Sequence, residues 1–255
     1  PRLWWPRGYG DANLYDVVIE LLKDGETVST WRDRVGIRTV ELDRTELNTL
    51  DHPGRFVFKI NGERIFCKGS NWVPADAFHS RDRERIPLLL DLFADMGCNM
   101  VRCWGGNVYE PHLFHDICDR EGIMVWQDFS MACAAYPLEQ PFFEMMREEG
   151  EWVVRELRNH AAIVIWAGDN ECDCSYAGWW GKPRDPATNR ITREVLADVC
   201  RRLDPSRPYL PSSPYVSPAV FALGGDQLLG PEQHLWGPRD YYKSEFYSRN
   251  TACFA

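Results

Sequence analysis

Ile163-Val164-Ile165-Trp166-Ala167-Gly168-Asp169-Asn170-Glu171 is the stretch on which the fold turns. It starts as a short apolar run and ends in charge. Short apolar strands that alternate with amphipathic helices belong to parallel βαβ units, whose sheet is covered on both faces. The strand candidates before it are Ile65–Asn71, Asn99–Trp104 and Ile123–Phe129. Those after it are Tyr209–Ser213, Leu228–Leu235 and Ala252–Ala255. Helix candidates between them are Asp82–Met96, Pro111–Glu121, Phe142–Asn159 and Asn189–Leu203. In the first of these, Ile86, Leu89, Leu90 and Phe93 recur at spacings of three and four, and Gly97 suits a C-cap. In the third, Met145, Met146, Trp152, Val153 and Leu157 make the apolar side.

Such a series closes either as an open doubly wound sheet or as a (β/α)8 barrel. The strand ends choose between them. Lys68-Gly69-Ser70-Asn71-Trp72, Arg102-Cys103-Trp104-Gly105-Gly106-Asn107, Trp126-Gln127-Asp128 and Trp166 through Glu171 place polar and aromatic groups at the C-terminal ends of successive strands. Barrel enzymes build their sites there. A dinucleotide fold needs a Gly-rich turn after its first strand, and no GxGxxG is present. The expected fold class is α/β, a (β/α)8 TIM barrel that is incomplete at its C-terminal end, with at most six or seven strands.

Upstream the pattern is all β. Leu14–Leu22, Thr27–Trp31, Gly36–Leu42 and Phe56–Ile60 read as strands, with hairpin turns at Asp24-Gly25 and Asn61-Gly62. Three or four strands are too few for a sandwich, which needs about seven. The chain thus enters in the middle of a β domain, and Pro1 in place of Met leaves the native start outside it.

Composition narrows the function. The 255 residues carry 29 Lys+Arg against 38 Asp+Glu, a formal charge of −9, with 44% hydrophobic residues and a mean hydropathy of −0.42. These values describe a soluble globular protein. The acidic balance opposes a nucleic-acid partner, and no apolar run reaches the ~18–20 residues that span a bilayer. Nine cysteines without framework spacing read as reduced, buried thiols in a reducing compartment, here cytoplasmic. His112 and His115 lie three apart on a helix candidate, but with no HExxH and no nearby carboxylate pattern neither a metal nor a cofactor is expected. Eleven Trp, ten Tyr and twelve Phe make 13% of the chain aromatic. Many stand beside Asn, Asp, Glu or Gly, a mixture that suits sugars, whose C–H faces stack and whose hydroxyls need polar partners.

Glu171 is the strongest chemical candidate. A buried strand running into it would leave it partly desolvated at a pocket floor, with its pKa raised toward that of a general acid. Asn170 beside it can bond a sugar hydroxyl.

Asn170-Glu171 after Ile163–Gly168 resembles the acid/base strand of glycoside hydrolase family 2. Cys67 through Asp76, Met100–Glu110 and Val125–Pro137 resemble the β-mannosidase branch of that family. Where its β-galactosidases and β-glucuronidases have a His-containing segment after the first-strand Asn, this chain has Trp72-Val73-Pro74. The resemblance implies a retaining exo-glycosidase acting on terminal β-linked mannose in an oligosaccharide or glycoside. It implies residues 1–60 as the end of an immunoglobulin-like β-sandwich domain and 61–255 as the N-terminal portion of the catalytic barrel. It implies Glu171 as general acid/base, with Asn170 at the sugar 2-hydroxyl and Trp104 packed against the mannose. It implies Trp179, His234 and Trp236 as residues lining the pocket. Asp76 and Asp128 stand equally for sugar contacts or for structural hydrogen bonds.

Two departures matter. Asp169 occupies a position where relatives often carry Asn or Gly; close to Glu171 it would raise the acid's pKa, and turned away it would do nothing. The second catalytic carboxylate, expected in a Ser-Glu-(Phe/Tyr)-Gly motif, would fall just beyond Ala255, so this chain alone is expected to be inactive; Glu245 is rejected as its substitute. The alternatives are another family 2 specificity (β-galactosidase, β-glucuronidase or exo-β-glucosaminidase), a non-catalytic carbohydrate-binding remnant, or a metal-dependent barrel hydrolase using His112 and His115.

Overall fold

Asp24 and Gly25, at φ of 53° and 88°, turn β1 (Tyr15–Lys23) back onto β2 (Glu26–Val35). The computed structural model describes residues 1–49, 51–179, 181–226 and 229–234. The β1–β2 ribbon stands as a two-stranded sheet, and Ile19, Leu21, Leu22, Val28 and Trp31 along it are exposed. A second antiparallel sheet holds β3 (Val40–Arg44), β4 (Phe56–Ile60) and β5 (Glu63–Ile65) in that order. Asn61-Gly62 makes its tight turn with both φ values positive, the geometry that matches strand twist. Phe56 stacks on Trp126 at 5.7 Å and Phe58 meets the same ring edge-on at 6.1 Å, so this sheet shares one core with the parallel sheet to which Trp126 belongs.

The parallel sheet comprises β6 (Gly69–Trp72), β7 (Met100–Cys103), β8 (Met124–Asp128), β9 (Ile163–Ala167) and β10 (Tyr209–Leu210). Helices α1 (Asp82–Asp95), α2 (His112–Glu121) and α3 (Gln140–Leu157) connect the first four of these strands. Between β9 and β10 lie α4 (Cys172–Cys174), π-helical turns at Ser175–Trp179 and Ile191–Leu196, and α5 (Ala197–Leu203); α6 (Pro218–Ala222) follows β10. The spatial order is the sequence order, and every neighbouring pair is parallel. A doubly wound sheet would reverse that order at a switch point. Unbroken sequential winding is that of the (β/α)8 barrel, of which the described residues hold five strands.

β8 and β9 are buried along their whole length, which is why their sequences show no alternation. Ile86 and Leu90 of α1 are buried in the same core, as are Met146, Val153 and Leu157 of α3. Met145 and Trp152, expected on that side, are exposed instead. The buried stripe of α3 runs through Phe143, Met146, Gly150, Val153, Val154 and Leu157, and each of the two lies one residue off it. The expected strand Ile65–Asn71 is divided, because Ile65 pairs antiparallel with Phe58 while Gly69 pairs parallel with Met100. Asn189–Leu203, expected as one helix, contains a π-helical turn before α5. Residues 229–234 form no strand where Leu228–Leu235 was expected, and Ala252–Ala255 lies outside the described residues. Cys67, Cys98, Cys103, Cys118, Cys172 and Cys200 are free thiols, the last four of these together with Cys174 being buried; Cys253 lies outside the described residues. Among the described residues no helix is long and apolar enough to cross a membrane.

A candidate active site at the strand ends

Beyond β9 the ladder continues for one residue in each direction. Asn170 bridges in parallel to Ala132 on one side and to Ser213 on the other. Its N–H donates to the Met131 carbonyl at 2.9 Å, and its carbonyl accepts from Cys133 N–H at 2.8 Å. Glu171 N–H donates to the Ser213 carbonyl at 2.8 Å. The loops that follow three strands are thereby fixed to one another. Within them Cys133 and Glu171 take left-handed backbones, φ 54° and 60°. That conformation costs a non-glycine residue roughly 1–2 kcal/mol. Such strain survives where surrounding contacts over-determine it, and it gathers at functional sites. The loop after β7 comes equally close: a Cβ on Gly105 would lie 2.3 Å from the Met131 carbonyl oxygen, so only glycine fits.

The side chains meet in one network. Glu171 is 3% exposed. Its Oε1 lies 2.7 Å from His234 Nδ1, and its Oε2 accepts from Cys133 Sγ and Asn170 Nδ2, each at 3.2 Å. His234 Nε2 lies 3.0 Å from Ser213 Oγ and 3.2 Å from Glu232 Oε1. Arg102 donates to Asp128 Oδ2 at 2.8 Å and to Asn170 Oδ1 at 3.0 Å, and its Nη1 lies 3.3 Å from His234 Nε2. Asp128 also accepts from Trp126 Nε1 at 2.9 Å and from Gly105 N–H at 3.0 Å. Asn170, Glu171, Asp128 and His234, four of the sequence candidates, are brought together, and Arg102 joins them.

The charge state of Glu171 differs from the sequence expectation. Burial pushes its carboxyl up, as expected. The hydrogen bond and positive charge of His234, with donors from Cys133 and Asn170, pull it down further, and it settles below its ordinary value. His234 moves the opposite way: burial disfavours the imidazolium, but Glu171 and Glu232 outweigh it and the pKa rises. Burial pushes the Asp128 carboxyl up in spite of Arg102. Asp169 is turned aside, accepting from Ser212 Oγ at 2.5 Å and from Cys172 N–H at 3.1 Å. Burial and the nearby Asp173 hold it well above the usual carboxylate range.

The other sequence candidates stand apart. Asp76 is taken by Arg81 and Arg85, each 2.5 Å from Oδ2, which hold its carboxyl well below the usual range. Trp104 is half-buried at the end of β7, its indole lying over Gly106. Trp179 is 44% exposed in the turn after α4. Trp236 and Glu245 lie outside the described residues. His112 and His115 do not act as a pair: His112 Nδ1 lies 2.9 Å from His160 Nε2, while buried His115 stacks on His160. Among the described residues Asp116, Asp119 and His160 bring possible ligand atoms within 4.8 Å of one another, although His160 Nδ1 and Asp119 are already at hydrogen-bond distance, 2.7 Å.

Sequence reasoning missed Arg102, Cys133, Ser213 and Glu232. Arg102 carried a signal, because a guanidinium inside the apolar run Met100–Cys103 must find a carboxylate. Cys133, between two alanines, carried none.

Chemically the arrangement offers a buried carboxylate beside an imidazole, an amide and a guanidinium, at the C-terminal ends of parallel strands. The model for glycosyl hydrolases family 2 matches residues 1–38, and that for the family's TIM barrel domain matches residues 55–220. A β-mannosidase B of Thermothelomyces thermophilus is 42% identical over 231 residues, covering 84% of this chain and 26% of the relative. A β-mannosidase of Capra hircus is 37% identical over 266 residues, covering 96% and 30%. The crystal structure of a β-D-mannosidase from Dictyoglomus thermophilum superposes with a TM-score of 0.84 at 44% identity, covering 92% of this chain and 28% of that one. A Parabacteroides merdae β-glucuronidase, at 23% identity and a TM-score of 0.63, shares the fold. The chain spans between a quarter and a third of the length of these curated relatives. With the barrel-domain match running from residue 55 to 220 and relatives 37–42% identical along most of the sequence, the chain belongs to glycosyl hydrolases family 2.

Proposed function

We propose that this chain carries the catalytic-barrel part of a retaining exo-glycosidase that releases terminal non-reducing β-D-mannose. Residues 1–60 belong to the end of a β-sandwich domain and 61–255 to the barrel. The free thiols of Cys67, Cys98, Cys103, Cys118, Cys172 and Cys200 fit a reducing, cytoplasmic setting. The observation that carries the reading is the buried Glu171 carboxylate, fixed beside Asn170 at the C-terminal end of a barrel strand. The β-mannosidase relatives support mannose as the sugar.

In this mechanism Glu171 protonates the departing glycosidic oxygen and then, as a base, takes a proton from water. Asn170 contacts the 2-hydroxyl, where hydrogen bonds strengthen toward the transition state. His234, within the network, and Trp104 and Trp179, outside it at the ends of their strands' loops, are assigned to the sugar's walls in this reading, and Arg102–Asp128 hold Asn170 in place. The nucleophile is a glutamate from a later strand, outside the described residues, about 5–5.5 Å from the acid/base. Its negative charge also resolves the low pKa of Glu171: a second carboxylate at that distance raises the first, and it disappears once the glycosyl bond forms. Glu171 is then an acid in the first step and a base in the second.

The test uses the full-length protein. Glu171→Gln lowers kcat/KM for β-mannosides with poor leaving groups by about 10²–10⁴-fold and spares those with activated leaving groups. Undiminished hydrolysis of the poor substrates sinks the assignment. A panel of aryl β-mannoside, β-galactoside, β-glucuronide and β-glucosaminide reads the sugar. Mannose binding without hydrolysis of an activated mannoside would mark a carbohydrate-binding protein instead.

A further inference from the structure

We propose that Glu232 is a positioning residue: it clamps His234 in its doubly protonated form and so keeps a cation against the Glu171 carboxylate. The inference rests on the reading of Glu171 as acid/base.

Both ring nitrogens of His234 face carboxylate oxygens, Nδ1 at 2.7 Å from Glu171 and Nε2 at 3.2 Å from Glu232. A neutral imidazole has one N–H and can serve only one of them; the imidazolium serves both. Ser213 supports this polarity. Its hydroxyl donates to Glu232 Oε1 at 2.6 Å, which leaves its lone pairs toward His234 Nε2 at 3.0 Å. Glu232 is 3% exposed, and its Oε2 has no hydrogen-bond partner among the described residues. A carboxylate buried in this way needs a partner in contact, and the His234 ring is the one it has at 3.2 Å.

The surrounding groups fix the sign. Arg102 opposes a charge on His234, its Nη1 lying 3.3 Å from Nε2, while its Nε and Nη2 bind Asp128 and Asn170 and share its charge with the Asp128 carboxylate. Cys133 reaches Glu171 as a neutral thiol, its pKa pushed up to about 11, and burial keeps Cys174 neutral too. Asp169 is bonded to Ser212. Two carboxylates therefore outweigh one partly neutralised guanidinium, in line with the raised pKa of His234. Neutralising Glu232 frees the imidazole to lose its proton. Glu171 then loses the nearer cation, and its own pKa rises.

The direct measurement is made on the unsubstituted protein, by long-range ¹⁵N–¹H spectra in which the His234 signal is assigned by its loss in His234→Gln. Both ring nitrogens should carry protons at neutral pH; a single neutral tautomer there overturns the clamp. In Glu232→Gln the His234 midpoint falls by at least about one unit, a tenfold loss of proton affinity. An unchanged midpoint in a variant with an unchanged circular dichroism spectrum also overturns it. In the full-length protein Glu232→Gln moves the alkaline limb of kcat/KM upward, and an unmoved limb refutes the link to Glu171. Failure of the nitrogen signature with a normal Glu171→Gln defect removes the clamp and leaves the acid/base reading. An intact signature with a harmless Glu171→Gln does the reverse.

Discussion

A buried polar cluster sits at each end of β9, and the two are wired differently. Before the strand, Arg207 donates to the carbonyls of Ile163 and His160, each at 2.6 Å, and pairs with Asp204. Arg38 donates to the carbonyls of Ala161 and Ile163, and Asp119 accepts from Ala162 N–H at 2.7 Å. Charge there is spent on backbone atoms, which have no alternative partner. After the strand, Glu171, His234, Glu232, Asn170, Arg102 and Asp128 bond mainly to one another's side chains. Side-chain bonds can be exchanged for a ligand's; backbone bonds can be broken only by unfolding. The first cluster is a staple and the second a candidate site.

Substitutions in the two clusters put that contrast at risk. Glu171→Gln in the full-length protein has the largest expected effect, the loss of rate on poor leaving groups, and should lower the urea midpoint less than a break in the first cluster does. Asp119→Ala strips partners from His160 and Ala162 together, and unfolding in urea should show a loss of about 2–5 kcal/mol. Comparable destabilisation by the two would erase the distinction.

A pH series separates the clusters more finely. Glu171 is held below its ordinary 4.5 and His234 above its ordinary 6.5. A lowered acid stabilises the fold above its unfolded pKa and gives that up as pH falls; a raised base stabilises below its unfolded pKa and loses that as pH rises. Both contribute in full between 4.5 and 6.5. The Tm gap between the protein and His234→Gln should be widest in that window and shrink on either side. A gap constant with pH would contradict the pairing. The smallest effect expected is at Cys133. Cys133→Ala removes one donor to Glu171 and should change kcat by roughly 2–10-fold, while Cys133→Ser, which keeps a donor, should lie closer to the parent. Equal values for the two would mean that the donor is irrelevant.

How far these clusters could be read beforehand depends on where their information lies. Phe56–Ile60 and Ile163 onward declared themselves because an Asn-Gly turn and an uninterrupted apolar run are local signals. Glu171 was legible for the same reason, as charge at the end of a buried run. Its ionisation was not, because the deciding imidazole stands 63 positions later and nothing near Glu171 announces it. Met145 and Trp152 misled because an apolar residue one place off a helical stripe looks, in sequence, like part of it. Arg102 was written in plain view but needed the fold to supply its carboxylate.

The left-handed backbone at Glu171 has a consequence for anyone diversifying this protein. With φ at 60°, the position suits glycine or asparagine better than glutamate. A library randomised at 171 and sorted by heat resistance at a pH high enough to discharge His234 should favour those two residues, whereas one sorted by turnover of mannosides with poor leaving groups should return glutamate alone.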